Sequence, residues 1–259
     1  MKHSSVLEVN DVSVRFGGLT ALDAVSLTVA PREVVGVIGP NGAGKTTLLN
    51  VLCGFTRPDD GQVLIDGRRY PHLRPHQLAG LGVARTLQGV GLFDRLSAIE
   101  NVMVGTNSRA TAGFWPALLG LPRADSDERR VREAAGQALD RVRAGAVAAA
   151  LPGELPYGMR KRVALARALA AQPKLLLLDE PASGLAEHEL AELGRLIREL
   201  AADMSLVIVE HHMDFMMSVC DSLVVLDFGR VISRGSPGEV QADPAVEAAY
   251  LGSRGSSGG

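Results

Sequence analysis

Aromatic side chains are scarce in this chain of 259 residues, only 4% of the total, and cysteine occurs just twice. Cys53 and Cys220 lie far apart and lack metal-ligand spacing. That excludes a disulfide framework or cysteine-rich metal site and fits two small core residues in a reducing compartment. No sign of charge dominates: 27 Lys and Arg against 29 Asp and Glu leave −2. A polycation held on nucleic acid by bulk charge is thereby excluded, and no nucleic-acid partner is expected. Nor does any apolar run approach the roughly 18 residues of a membrane span. The longest candidates, Val34–Gly39, Val142–Leu151 and Leu175–Leu178, are short, broken by Arg143, or strand-like. The opening MKHSSVLEVND carries acids where a signal peptide needs an apolar core. What is present is a 46% hydrophobic composition. It is too apolar for disorder and, at about 100–200 residues per domain, enough for one large domain or two intimate small ones. Composition implies a soluble, cytosolic, globular protein.

Imperfect alternation over Val6–Val14 predicts a half-buried strand, with further short strands at Ser26–Val29 and Val63–Asp66, the last closed by the turn dipeptide Asp66-Gly67. Into this antiparallel portion falls Val34-Val35-Gly36-Val37-Ile38, a continuous run of the kind buried on both faces of a parallel sheet. Leu175–Leu178 and Leu206–Val209 repeat the pattern after helical stretches, which implies right-handed βαβ units. Residues 89–155 hold no such strand but do hold a mixed-charge helix over Asp127–Arg143. Breaks at Gly113–Pro116, Gly120–Pro122 and Leu151–Pro156 punctuate the segment. The fold class read from this is α/β: a parallel-sheet core with an antiparallel β portion and an inserted helical subdomain. One domain covers 1–252, its core 1–88 and 156–252, its helical insert 89–155. Ser222–Leu226 and Arg230–Ser233 form a hairpin through Asp227-Phe228-Gly229. The Gly/Ser-rich end from Gly252, with 253–259 as its tail, has a disordered composition.

Gly39-Pro40-Asn41-Gly42-Ala43-Gly44-Lys45-Thr46 matches G-x-x-x-x-G-K-[ST] directly behind the strand Val34–Ile38, and Thr47–Leu52 continues as helix. Glycines let such a loop curl so that backbone N–H groups and a helix N-terminus face a phosphate together. Lys45 reaches the β- and γ-phosphates, and the Thr46 hydroxyl ligates Mg²⁺. The strand before and helix behind favour this over a Gly-rich turn with a surface lysine. Lys174-Leu-Leu-Leu-Leu-Asp179-Glu180 is a buried strand ending in two acids. Asp179 is placed to hold Mg²⁺ through water and Glu180 to polarise an attacking water, although solvated acids at a strand end are common in general.

These motifs together resemble the nucleotide-binding subunit of ABC transporters, from about Leu7 to Gly252. Leu155-Pro156-Tyr157-Gly158-Met159 sits where that family carries its signature, opening a helix over Arg160–Ala171. Gln88 matches the glutamine-loop residue, Ser183-Gly184-Leu185-Ala186 the D-loop, and Phe16, before Gly17-Gly18, the aromatic that stacks on adenine. His211, directly after Glu210, matches the switch histidine, with His212 as a rival. The resemblance implies ATP and Mg²⁺ as cofactors. Glu180, His211, Gln88 and Lys45 are then catalytic, and Thr46, Gln88 and Asp179 serve the metal. Phe16, Gly39, Asn41, Gly42, Ala43, Gly44, Lys45, Thr46, Thr47, Leu155 and Gly158 contact nucleotide. It also implies a second, facing ATP-binding subunit, identical or paralogous, whose γ-phosphate the signature complements. Membrane permease subunits at the cytoplasmic face of the inner membrane, and indirectly a solute-binding protein, complete the expected assembly.

The signature departs from its commonest form. Pro156 lacks the serine hydroxyl and a backbone donor, Tyr157 replaces glycine, Met159 replaces glutamine, and Ala186 lacks a side chain often offered across the dimer. Leu-Pro-Tyr-Gly is similar to one branch, the ATPases of importers for branched-chain amino acids and related amide, urea and similar solutes. Gly82–Gln88, Leu92-Phe93, Ile99–Val102 and Asp243–Gly252 also resemble that branch. The function so implied is an ATP-hydrolysing importer subunit. The alternatives are an exporter or lipid-transport ATPase, a non-transport ABC ATPase, and a degenerate scaffold. The last is disfavoured by the intact Lys45, Thr46, Asp179, Glu180 and His211.

Overall fold

The computed structural model describes residues 5–86, 89–106 and 122–254. They fall into two compact units, one built from Met1–Leu81 and Leu177–Gly259, the other from Gly82–Leu176.

In the first unit, β1 (Leu7–Phe16) and β2 (Leu19–Val29) form a hairpin through Gly17-Gly18, longer than the expected Val6–Val14 and Ser26–Val29. The alternation is imperfect in sequence because the register shifts between Val9 and Val12 and again before Val14, where Asp11 and Ala24 adopt φ of 50° and 49°. Each such irregularity moves the following side chains to the other face. Neighbouring hydroxyls satisfy the displaced backbone: Asp11 N donates to Ser26 Oγ (2.8 Å) and Ala24 N to Ser13 Oγ (3.0 Å). β4 (Asp60–Ile65) pairs with β1 and turns through Asp66-Gly67 into β5 (Arg68–Arg69), giving an antiparallel sheet of order β2-β1-β4-β5.

The second sheet in this unit is built on β3 (Val34–Ile38), which is buried at all five positions and runs parallel to β8 (Ser205–Val209) and β9 (Ser222–Asp227). β10 (Arg230–Gly235) returns antiparallel on β9 through Phe228-Gly229, and β7 (Leu175–Asp179) lies on the far side of β8. β8 starts at a buried serine because that hydroxyl is satisfied: Ser205 Oγ donates to Ala30 O (2.9 Å) and accepts from Arg32 N (2.8 Å). α1 (Lys45–Leu52) follows β3. Further along the chain come α5 (Glu187–Ala201), α6 (Met213–Val219), α7 (Pro237–Gln241) and α8 (Pro244–Arg254). Gly36 lets α6 sit close against β3, since a Cβ there would meet Met216 Cε at 2.5 Å and Cys220 Sγ at 2.7 Å. Both cysteines are buried, and burial pushes the Cys220 thiol up to about 12.

In the second unit, β6 (Val83–Arg85) begins after Gly82, whose carbonyl accepts from Lys174 N (2.7 Å) and Leu175 N (3.1 Å) at the start of β7. α2 (Ala98–Gly105), α3 (Pro122–Arg141) and α4 (Tyr157–Leu169) pack on one another through buried Val102, Leu139 and Val163. The helix expected over Asp127–Arg143 starts earlier, at Pro122, because proline suits the first helical turn. It stops at Arg141, before Arg143 turns left-handed at φ 58°. α2 opens with a reciprocal cap, Ser97 and Glu100 each accepting from the other's backbone N–H. Behind it, fully buried Asn101 donates to the carbonyls of Phe93, Leu96 and Ser97 at 3.1, 2.9 and 3.1 Å. Its Oδ1 accepts from Phe93 N (2.7 Å), so every polar atom of the amide is used.

Candidate nucleotide site

In the first unit the apolar strand β3 delivers the chain into the loop 39–44 and straight into α1. Three glycines there have left-handed φ: Gly39 at 150°, Gly42 at 79° and Gly44 at 102°. At Gly39 a Cβ would meet Leu226 O at 2.1 Å, and at Gly44 it would meet Ala21 O at 2.6 Å, so the loop is pressed onto β9 and β2 where only glycine fits. Gly42 has nothing within 4 Å and, with Asn41, faces outward. The hairpin turn at Gly229 braces the loop, its N–H donating to Ala43 O (3.0 Å) and its O accepting from Asp23 N (2.8 Å). α1 begins with no side-chain cap and no acid in its first turn. Its leading N–H groups are therefore turned toward any anion that enters.

Lys45, the first residue of α1, is buried, and its Nζ donates to Gly39 O (2.6 Å) and Pro40 O (2.7 Å). Burial lowers its pKa from the ordinary lysine value, while the carboxylates of Glu180 and Glu210 act to raise it. The ammonium is thus held over its own loop with two acids nearby. Thr46 is exposed and Thr47 half-buried on the same turn. Asp179 ends β7 with 5% exposure. Glu180 follows at φ 46°, a conformation rare for a non-glycine residue, and its N–H donates to Val209 O (2.9 Å). The acid at the end of β7 and the end of β8 are therefore tied together. His211 is half-exposed beyond β8, its Nδ1 3.3 Å from Glu210 Oε2 and its ring 5.3 Å from that of His212. Phe16, at the turn end of β1, is 54% exposed and is no core aromatic.

In the second unit Leu155 is extended and buried, and Pro156 precedes α4, which begins at Tyr157 rather than Arg160 and ends at Leu169 rather than Ala171. Pro156 is pre-set for a helix start, and Gln172, left-handed at φ 48° before Pro173, ends the helical path. Gly158 is buried in the first turn. Tyr157 takes the place of a glycine and carries cations over its ring, Arg160 at 5.7 Å and Lys161 at 5.4 Å from the centroid. Gln88 lies outside the described residues.

Two residues of the site escaped sequence reasoning. Glu210 is wholly buried and accepts backbone N–H groups from both flanking loops. An acid directly behind the apolar run of β8, repeating the pattern of Asp179 behind β7, was the available signal. Tyr250 of α8 comes against the phosphate loop: burial raises its phenol and the Gly39 backbone lowers it. Nothing in its local sequence points there.

The description ABC transporter matches residues 22–183, more than half the chain. The chain belongs to the ABC transporter family. It is an ATP-binding cassette, an ATPase of the transport type. A second description, branched-chain amino acid ATP-binding cassette transporter, matches residues 230–255 of the cassette. The cassette is 38% identical to the high-affinity branched-chain amino acid transport ATP-binding protein BraF of Pseudomonas aeruginosa, over 95% of this chain and 98% of that one. Identity and coverage are the same for LivG of Salmonella typhimurium, which carries the same description. Among solved structures, the ADP conformation of MJ1267, an ATP-binding cassette of an ABC transporter, superposes with TM-score 0.83. It is 30% identical, over 96% of this chain and 99% of that one.

Proposed function

We propose that this cassette hydrolyses ATP to drive an importer of branched-chain amino acids or similar small polar solutes. It works on partner permease subunits at the cytoplasmic face of the inner membrane and pairs with a second ATP-binding subunit. The observation that carries the chemistry is the Lys45 ammonium, bonded to Gly39 and Pro40 beneath an uncapped helix start, with Glu180 within electrostatic reach. The importer branch is supported by the C-terminal match over 230–255 and by BraF and LivG, which are similar end to end. Among the described residues no helix is long and apolar enough to cross a membrane.

The residues fit a magnesium ion held jointly with substrate. Thr46 and Asp179 offer two hard oxygen donors, and among the described residues no cluster of three or more His, Cys, Asp or Glu makes a self-contained metal site. When bound, Mg²⁺ would neutralise charge on the β- and γ-phosphoryl oxygens. Lys45 exchanges its loop carbonyls for those phosphates, and the 39–44 backbone with the start of α1 cradles them. Phe16 offers its exposed face to the base. Glu180 takes the proton from the attacking water, and His211 holds that water in line. Leu155, Gly158 and the start of α4 serve the γ-phosphate of the facing subunit.

Glu180→Gln keeps size and removes the base, so it should bind ATP at the wild-type level and lose turnover by about 10²–10⁴-fold. Lys45→Ala should lose ATP binding itself. Wild-type turnover in Glu180→Gln, measured as phosphate release from the assembled transporter, overturns this assignment.

A further inference from the structure

Glu210 has no part in the chemistry just described, yet it is a carboxylate with zero solvent exposure among the three loops that make the site. Its Oε1 accepts from Ala182 N (2.8 Å), two residues past Glu180. Its Oε2 accepts from His211 N (2.8 Å) and His212 N (3.3 Å), and His211 Nδ1 stands 3.3 Å from the same oxygen. Its own N–H donates to Val37 O (3.2 Å) on β3, one residue before the strand's end at the phosphate loop. Glu180 N meanwhile donates to Val209 O (2.9 Å), the residue just before Glu210. A buried carboxylate is costly unless its oxygens are matched by donors, and here the donors come from two different catalytic loops. A residue needed only for packing would be met more cheaply by an apolar side chain of the same volume.

We infer that Glu210 is a positioning residue for hydrolysis: its carboxylate buckles the loop behind Glu180 to the His211 backbone and so fixes the base and the switch histidine at one separation. Each arm does separate work. The Oε1 arm holds the 181–183 turn, which decides where Glu180 points. The Oε2 arm holds His211 and His212 at the exit of β8 and fixes where the His211 ring begins. Glu210 hydrogen-bonds neither Lys45 nor the loop 39–44 and reaches the ammonium only electrostatically, so its loss falls chiefly on the groups around the attacking water. A displacement of about 1 Å at such groups costs on the order of 10²-fold in rate.

This rests on the roles given above to Glu180 and His211, and the test separates the two claims. Glu210→Gln keeps the shape but turns an NH₂ group toward at least one of the loop N–H donors, so the buckle opens. Glu210→Asp keeps the charge and falls one methylene short. In steady-state ATP hydrolysis by the assembled transporter, both should lower kcat by about 10- to 100-fold while KM for ATP stays within about threefold. Glu210→Asp should retain more activity than Glu210→Gln. In the unaltered protein, the amide protons of Ala182 and His211 should exchange with solvent far more slowly than those of exposed loop positions such as Gly42. The inference is overturned by wild-type kcat in either variant, by kcat and KM moving together in step with a falling melting temperature, or by fast exchange at both amides. Full activity in Glu180→Gln would instead overturn the assignment on which it stands, whatever the Glu210 variants do.

Discussion

Replacing Gly44 and Gly42 by alanine, one at a time, separates two reasons why a phosphate loop needs glycine. At Gly42 φ is 79° and a new methyl meets nothing within 4 Å. The cost is then the left-handed conformation alone, about 1–2 kcal/mol. It is reduced by about 0.4–1 kcal/mol because alanine narrows the unfolded ensemble. A net loss of about 1 kcal/mol follows. At Gly44 φ is 102°, and the methyl would stand 2.6 Å from Ala21 O and 2.9 Å from Leu22 Cδ2. The oxygen belongs to the β2 backbone and cannot swing away, so overpacking adds about 1–3 kcal/mol. Gly44→Ala should therefore be less stable than Gly42→Ala by about 1–3 kcal/mol, read as midpoint shifts in urea without nucleotide. ATP affinity should follow the same order, since the Gly44 clash acts at the cap of α1. Equal stability of the two variants, or a greater loss at Gly42, would refute the claim that β2 presses the loop.

Asn101→Ala strips the donors and acceptor from the 93–97 turn and leaves Phe93 N–H and Leu96 O unmatched, while Phe93 O keeps Leu96 N and Ser97 O keeps its backbone donor at position 101; this should cost about 2–4 kcal/mol in thermal unfolding. A loss under about 0.5 kcal/mol would show the amide to be incidental. Phe16→Ala should raise KM for ATP by about 5- to 100-fold, the range of one lost base stack, with kcat little changed. Ser97 and Ser236 hold Glu100 and Glu239 below the ordinary carboxylate value of 4.5 through side-chain and then backbone hydrogen bonds. Folded-state values below the unfolded ones give stability that is present above pH 4.5 and lost as pH falls through the folded-state values. Melting temperature should drop on that acid limb, and Ser97→Ala with Ser236→Ala should flatten it.

The strands that deliver the site were legible because burial on both faces leaves a continuous apolar run, and runs of four or five residues closed by glycine or acids are too short for a buried helix. β3 has the predicted bounds of Val34–Ile38, and β7 and β8 each differ by one polar residue at an end. The antiparallel portion was legible only in outline. Asp11 and Ala24 shift the phase of alternation, and no periodicity rule anticipates a bulge whose donors are met by hydroxyls from the opposite strand. Helices α2 and α7 went unnoticed although Ser97-Ala-Ile-Glu100 and Ser236-Pro-Gly-Glu239 are capping boxes. At the site, residue types and spacing marked Lys45, Asp179 and Glu180, and the family resemblance marked His211. The positive φ of Glu180, the inward turn of Lys45 and the approach of Tyr250 to Gly39 depend on tertiary contacts. Glu210 was the one that pattern could have flagged, as a lone acid ending an apolar run.

Crystals of the assembled transporter grown with a non-hydrolysable ATP analogue and Mn²⁺ test the central claim most directly. The Lys45 Nζ should leave Gly39 O and Pro40 O for the β- and γ-phosphates, with Thr46 and Asp179 flanking the manganese. A triphosphate bound elsewhere while Lys45 keeps its loop carbonyls, or a metal remote from Asp179, would contradict the account.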